Sequence, residues 1–137
     1  MELVLPYPPS VNHYWRHFRG RTLISRGGRA YRQQVMTQCQ GMGGQTPRDG
    51  RLALAMDAFP PDRRRRDLDN IQKAALDSMQ HAGIYCDDSQ IDLLISQRKL
   101  PITGGQLVVR IHEYPLHRCP LCGSSMSILE SEYLNDN

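Results

Sequence analysis

The chain has 137 residues, 39 % hydrophobic and 7 % aromatic, with a formal net charge of +3. That length points to one domain with a modest core, and the regular recurrence of apolar runs excludes wholesale disorder. No apolar run approaches the roughly 18 residues that a membrane-spanning helix needs.

The positive charge is nearly all arginine, since Lys73 and Lys99 are the two lysines. Arginine presents a planar fork that suits phosphate oxygens. Every Lys and Arg lies at or before Arg118, while Glu130, Glu132 and Asp136 follow it. A basic body with an acidic tail favours a polyanionic partner, although solubility alone would also account for the balance. The opening MELVLPYPPS, with Glu2 and three prolines, does not read as a secretory signal, so a cytoplasmic protein is expected. In that compartment Cys39, Cys86, Cys119 and Cys122 are thiols or metal ligands rather than disulfides.

Leu3 to Tyr7 is a short strand candidate closed by Pro8 and Pro9, and Ser10 to Asn12 reads as a turn. Tyr14 to Ser25 has the pattern of a hairpin around Arg19-Gly20-Arg21. It interleaves Tyr14, Trp15 and Phe18 with Arg16, Arg19 and Arg21, a mixture that stacks on unpaired bases and grips phosphates. A half-buried hairpin with a solvated outer face would look the same. Ser25 is placed to cap a helix from about Gly28 to Gln40, with Tyr31, Val35, Met36 and Cys39 on its apolar face. Cys39 is assigned to the core. Gly41 to Gly50 is loop.

Leu52 to Phe59 is a strand whose imperfect alternation fits burial on both faces. Asp69 to His81 is helical, with Ile71, Ala74, Ala75, Leu76 and Met79 in one stripe and Gly83 as its stop. Ile91 to Leu100 and Gln106 to Tyr114 are strands, joined by a hairpin-like turn at Pro101 to Gly105. This order predicts a single small α/β (α+β) domain over residues 1–114, a mixed β-sheet with two main helices packed on it. Residues 115–137 form a C-terminal extension holding Cys119-x-x-Cys122.

The segment PDRRRRDLDNIQKAALD carries the chemistry. Arg63 to Arg66 run into Asp67, Asp69 and Asn70, Lys73 follows, and Asp87 and Asp88 come after the helix. On an extended chain Asp67 and Asp69 project to one side and can converge on a metal ion. The competing assignment makes Asp69 a helix cap with Gln72 three residues on. The helix is about 20 Å long, so Asp88 reaches Asp69 only if the chain reverses after Gly83 and runs back. Carboxylate oxygens favour Mg²⁺ or Mn²⁺. Lys73 either steadies the phosphate and a carboxylate or forms an ordinary ion pair with Asp69 or Asp77. The arginines would track backbone phosphates.

These residues, with AGIYCDDSQI, LPYPPSVNHYWRHFRGR, SRGGRAYR and KLPITGGQLVVRIHE, resemble the RusA-type Holliday junction resolvases of bacteria and their phages. The likeness runs from about Leu3 to Glu113. It implies a homodimeric, Mg²⁺-dependent endonuclease that cuts two opposed strands of a four-way DNA junction. It also implies catalytic roles for Asp67, Asp69, Lys73 and Asp88, metal binding at the three aspartates with Asp87 beside them, and supporting roles for Arg66 and Asn70. The tail departs from the family. Cys119 and Cys122 either supply half of a structural zinc set, with His117 a third candidate and His112 a distant fourth, or are two spare thiols in a flexible tail. The alternative assignment is a non-catalytic, zinc-containing DNA-binding module. Three acids where phosphates should sit would repel DNA unless metal neutralised them, which favours the nuclease.

Overall fold

The computed structural model describes residues 1–114 and 121–124. Its organising strand is β4 (Leu52–Phe59), in which seven of eight residues are buried. The run LALAMDAF has small residues at alternate positions, so large neighbours close over both faces. Around β4 the sheet takes the order β1-β6-β4-β5, with β1 at Glu2–Leu5, β5 at Ile91–Arg98 and β6 at Gln106–Glu113. β6 lies antiparallel to both β1 and β4, whereas β5 runs parallel to β4.

The expected hairpin between the last two strands does not form: β4 lies between β5 and β6. The linking segment passes the end of β4, where Lys99 N donates to Ala58 O (2.8 Å) and Ile102 N to Pro60 O (2.9 Å). A strand buried on both faces needs a ladder on each side, and that requirement overrides the local turn signal. Gly105 closes this connection. It has a φ of +65°, and a Cβ there would stand 2.9 Å from the Pro61 ring.

Among the described residues the helices pack on one face. α2 (Arg26–Gln38) contributes Tyr31 and Val35, and α3 (Asp69–His81) contributes Ile71, Ala74, Ala75 and Met79. They meet Leu3, Leu5, Leu54, Met56, Leu107 and Val109 of the sheet in one core, which Cys39 joins as expected. The opposite face carries Asp57, clasped by Arg110 (2.8 Å) and Lys99 (3.4 Å). No helix among the described residues is long and apolar enough to cross a membrane.

The segment read as a turn at Ser10–Asn12 is a single helical turn, α1 (Val11–Tyr14), closed by His13 N and Tyr14 N on Ser10 O. It leads directly into the hairpin β2 (Trp15–Phe18) and β3 (Arg21–Ile24), which forms a separate two-stranded sheet. The loop is Arg19-Gly20, with φ values of 48° and 72°. Positive φ at both positions matches the right-handed twist of the strands.

Ser25 stitches this corner together. Its N–H donates to Tyr14 O (2.9 Å), its hydroxyl donates to His13 O (2.5 Å), and the same Ser25 hydroxyl oxygen accepts from Gly28 N (2.9 Å). The cap is the one expected from sequence, although α2 starts two residues earlier. Gly28 permits the approach, because a Cβ would lie 2.5 Å from Tyr14 O and 2.9 Å from Ile24 Cγ2. Gly28→Ala therefore lowers stability by about 1–3 kcal/mol through overpacking, measured as a drop in urea midpoint with an unchanged slope.

Candidate active site

β4 ends at Pro60-Pro61, and the chain leaves the sheet as an arginine loop before α3 begins. Proline cannot continue the ladder, so the loop starts where β4 must stop. Asp62 then organises it. Its carboxylate receives both guanidinium arms of Arg66, at 2.5 and 3.0 Å, and the Arg64 backbone N–H at 2.8 Å. These bonds, the Arg66 pair first, lower the Asp62 pKa from its ordinary 3.8 to about 2. Arg66 also stands 5.9 Å over the Tyr7 ring, and its carbonyl accepts from Arg98. The four-arginine run thus divides. Arg66 is a strut, partly buried, while Arg63, Arg64 and Arg65 are exposed.

Asp67 and Asp69 flank Leu68, which is already helical at φ −63° and ψ −38°. The pair spans a coil-to-helix junction and does not lie on an extended strand as alternation expects. Asp69 is not the cap either: it sits in the first turn of α3, where a carboxylate complements the helix dipole. Gln72, its supposed capping partner, instead donates to Ser96 Oγ of β5 at 3.0 Å. Asp67 and Asn70 line a cleft of about 500 Å³, facing Tyr7, Asn12 and His13 across it and sharing it with Arg65.

After Gly83, at φ +75°, the chain turns back along α3 as the sequence requires. Tyr85 Oη donates to Leu76 O at 2.7 Å, which fixes the return. Asp88 then meets Lys73: Lys73 Nζ lies 3.4 Å from Asp88 and 2.9 Å from Asp77. The i,i+4 ion pair expected for Lys73 forms with Asp77, and Asp88 joins it from the returning segment. The Asp77 bond, followed by the charges of Asp77 and Asp88, raises the Lys73 pKa above its usual value. At neutral pH Lys73 is a fixed cation and a hydrogen-bond donor.

Asp87 has a different task. Its carboxylate accepts from Ser89 N (2.8 Å) as the N-cap of a short 3₁₀ turn, Asp88–Gln90, and the Ser89 bonds lower its pKa. The reciprocal half of this capping box is Gln90, 6 % exposed. Its Oε1 accepts from Cys86 N and Asp87 N (2.9 and 3.1 Å), and its Nε2 donates to Pro47 O and Gly50 O (3.0 and 2.8 Å). Cys86, next to Asp87, is exposed. Asp62 and Gln90 were missed in the sequence. The i,i+4 spacing of Asp62 and Arg66 was a usable signal, whereas nothing local marks Gln90.

Arg16 and Arg19 of the hairpin flank the Phe18 ring at 5.5 and 5.3 Å, and Phe18 is 52 % exposed. Arg21 is exposed beside them. Of the proposed zinc set, His117 and Cys119 lie outside the described residues. Cys122 Sγ lies 2.9 Å from Ser124 Oγ, and the pKa of His112 is lowered by burial.

Carboxylates at the start of a helix, a lysine tied to a returning acid, and arginine-lined clefts on either side define a phosphodiester-processing class of protein. Comparison with known proteins agrees. Residues 6–112 match the family Endodeoxyribonuclease RusA, and the chain belongs to it. It is 43 % identical over 118 residues to a crossover junction endodeoxyribonuclease of Enterobacteria phage 82, covering 81 % of this chain and 92 % of that one. Identity to the Escherichia coli K12 protein of the same name is 42 % over the same shares. A relative from phage HK97 is 42 % identical over 112 residues, covering 82 % and 93 % of the two chains.

The depressed pKa of Asp62 sets a pH window. A carboxylate favoured in the folded state stabilises above its unfolded pKa, near 4, and that contribution is lost as pH falls through about 2. The Asp62 carboxyl resonance should titrate below the ordinary aspartate range, and Asp62→Asn should abolish that low-pH transition while loosening the arginine loop.

Proposed function

We propose that the chain is a divalent-metal-dependent endonuclease that cuts DNA at four-way junctions, acting as a homodimer. The observation that carries this is the return of Asp88 to Lys73 on the helix that begins at Asp69. Asp67, Asp69 and Asp88 present only hard oxygen donors, which fits Mg²⁺ or Mn²⁺. Among the described residues no three His, Cys, Asp or Glu side chains already stand at ligand spacing. Asp67, Asp69 and Asp88 would therefore have to draw together around the ion, with water and phosphate oxygens completing its shell. Such an ion, when bound, lowers the pKa of an attacking water and offsets charge on the phosphate.

The chain's own groups do the rest. Lys73 keeps its proton at neutral pH and so acts as a cation toward the pentacoordinate phosphorus, not as a base. Arg63, Arg64 and Arg65 hold the backbone without reading sequence. Asn70 lies in the same cleft as Asp67 and offers a neutral donor there. Arg16, Arg19 and Arg21 surround a solvent-facing Phe18 at the hairpin, which suits contact with bases unstacked at a branch point. Two copies on a two-fold axis would supply the symmetric pair of cuts that a four-armed substrate demands.

On a synthetic mobile junction with Mg²⁺ the protein should make paired symmetric nicks and leave a matched linear duplex intact. Asp69→Asn should lose about 10³-fold in cleavage while junction binding is kept or tightened, because a charge beside phosphate is removed. Loss of binding in step with cleavage overturns the metal role. Replacing Arg64 and Arg65 together by Gln should weaken all DNA binding and reduce the salt slope by about 2, read from affinities across a salt series.

A further inference from the structure

On the far side of Lys73 from the arginine loop lies a further cleft, open and about 640 Å³, lined by Trp15, Arg32, Lys73, Asp77 and His81. We propose that it is a phosphate subsite for the strand being cut, with Arg32 as its anion-binding group. The proposal rests on the nuclease reading and adds a path for the strand.

Arg32 sits on the α2 face that meets the hairpin corner, half-buried. One arm of its guanidinium, Nη2, donates to Tyr14 Oη at 3.0 Å. Its Nε is buried and has no hydrogen-bond partner. Among the described residues no carboxylate pairs with it. Asp77, the acid lining the same cleft, is engaged with Lys73 at 2.9 Å. A half-buried cation without a counter-ion is unfavourable, and an anion in the cleft offsets its charge, although Nε itself lies out of a ligand's reach. Fixing one arm on Tyr14, itself fully buried, leaves the guanidinium oriented before any ligand arrives.

The neighbouring wall suits a nucleotide. Trp15 stands edge-on to Tyr14, with ring centroids 5.1 Å apart and an interplanar angle of 88°. Its ring faces the cleft as an apolar surface for a sugar or base. Arg63 to Arg66 serve two other clefts, so Arg32 is not part of that group. A strand held by the arginine loop at the start of α3 would pass Asp69 and Lys73 and then meet Arg32.

The test replaces one phosphate at a time, on either side of the cut, by an uncharged methylphosphonate. Wild-type protein should lose about tenfold to a hundredfold at one position assigned to Arg32, the range of one charge-assisted hydrogen bond. Arg32→Gln should show that loss on the unmodified junction and no further loss at that position, while other positions keep their full penalty. Arg32→Lys, which retains charge, should recover part of the activity. Losses that multiply at every position, or an Arg32→Gln protein that cuts like wild type, overturn the subsite. If Arg32→Gln fails to fold, Arg32→Lys is scanned instead, and a penalty reduced at no single position overturns it equally. The same comparison made by metal-free junction binding keeps the two proposals separable: a wild-type protein that binds but never nicks rejects the nuclease reading and leaves the Arg32 result standing.

Discussion

Lys73 brings the charges of α3 and of the returning segment together at one point. Asp77, one turn along α3, holds the ammonium in place, and Asp88 approaches it from the returning segment. Exposed ion pairs contribute little to stability, so the value of this one lies in position and not in strength. Without it Asp88 would be an ordinary surface acid on a short 3₁₀ turn. The buried Gln90 amide supplies the rigidity that the ion pair cannot. It fixes the backbone on both sides of Asp88 to the loop preceding β4, through four hydrogen bonds that are costly to lose once shielded from water.

The same division of labour recurs in the arginine loop. A run of four like charges would repel itself and wander. Asp62 removes that freedom by clasping Arg66 and the Arg64 backbone, and Arg98 ties the loop to β5. One arginine is thereby spent on shape so that three remain aimed outward. Asp57 does something similar on the other face of the sheet, where Arg110 and Lys99 share a single acid. Basic surfaces of this kind need a few internal acids, placed away from where phosphate would sit.

Much of this was legible in the sequence where a signal is local. β4 and α3 have the boundaries that their apolar patterns predict, and Ser25 caps α2 as its position suggests. The hairpin turn was likewise visible, because Gly20 is the one glycine in that stretch, although nothing local says that Arg19 would take the other positive φ. What failed was whatever depends on a distant partner. The pairing of β6 with β4 instead of β5 follows from β4 needing two neighbours, which no turn motif encodes. Asp69 looked like a cap because Gln72 follows it, but Ser96, reached only through the fold, takes Gln72 away. The acids assigned to the site stand out by their spacing and by family likeness, whereas Asp62, Gln90 and Arg32 act through contacts made across 4 to 43 residues.

The sheet order also dictates when the molecule can exist at all. β1, near the start of the chain, has β6 as its sheet neighbour, with Glu2 opposite Arg110 and Leu5 opposite Leu107. β4 likewise lacks one ladder until β6 arrives. During synthesis, then, α3 and the aspartates are made while the strand that completes the sheet is still missing. Such long-range closure is slow and leaves apolar strand faces uncovered in the interval. The nascent chain therefore carries a nuclease-like set of acids for some time before it has a scaffold stiff enough to aim them, and ordering of the site is coupled to the arrival of residues 106–113 from the ribosome.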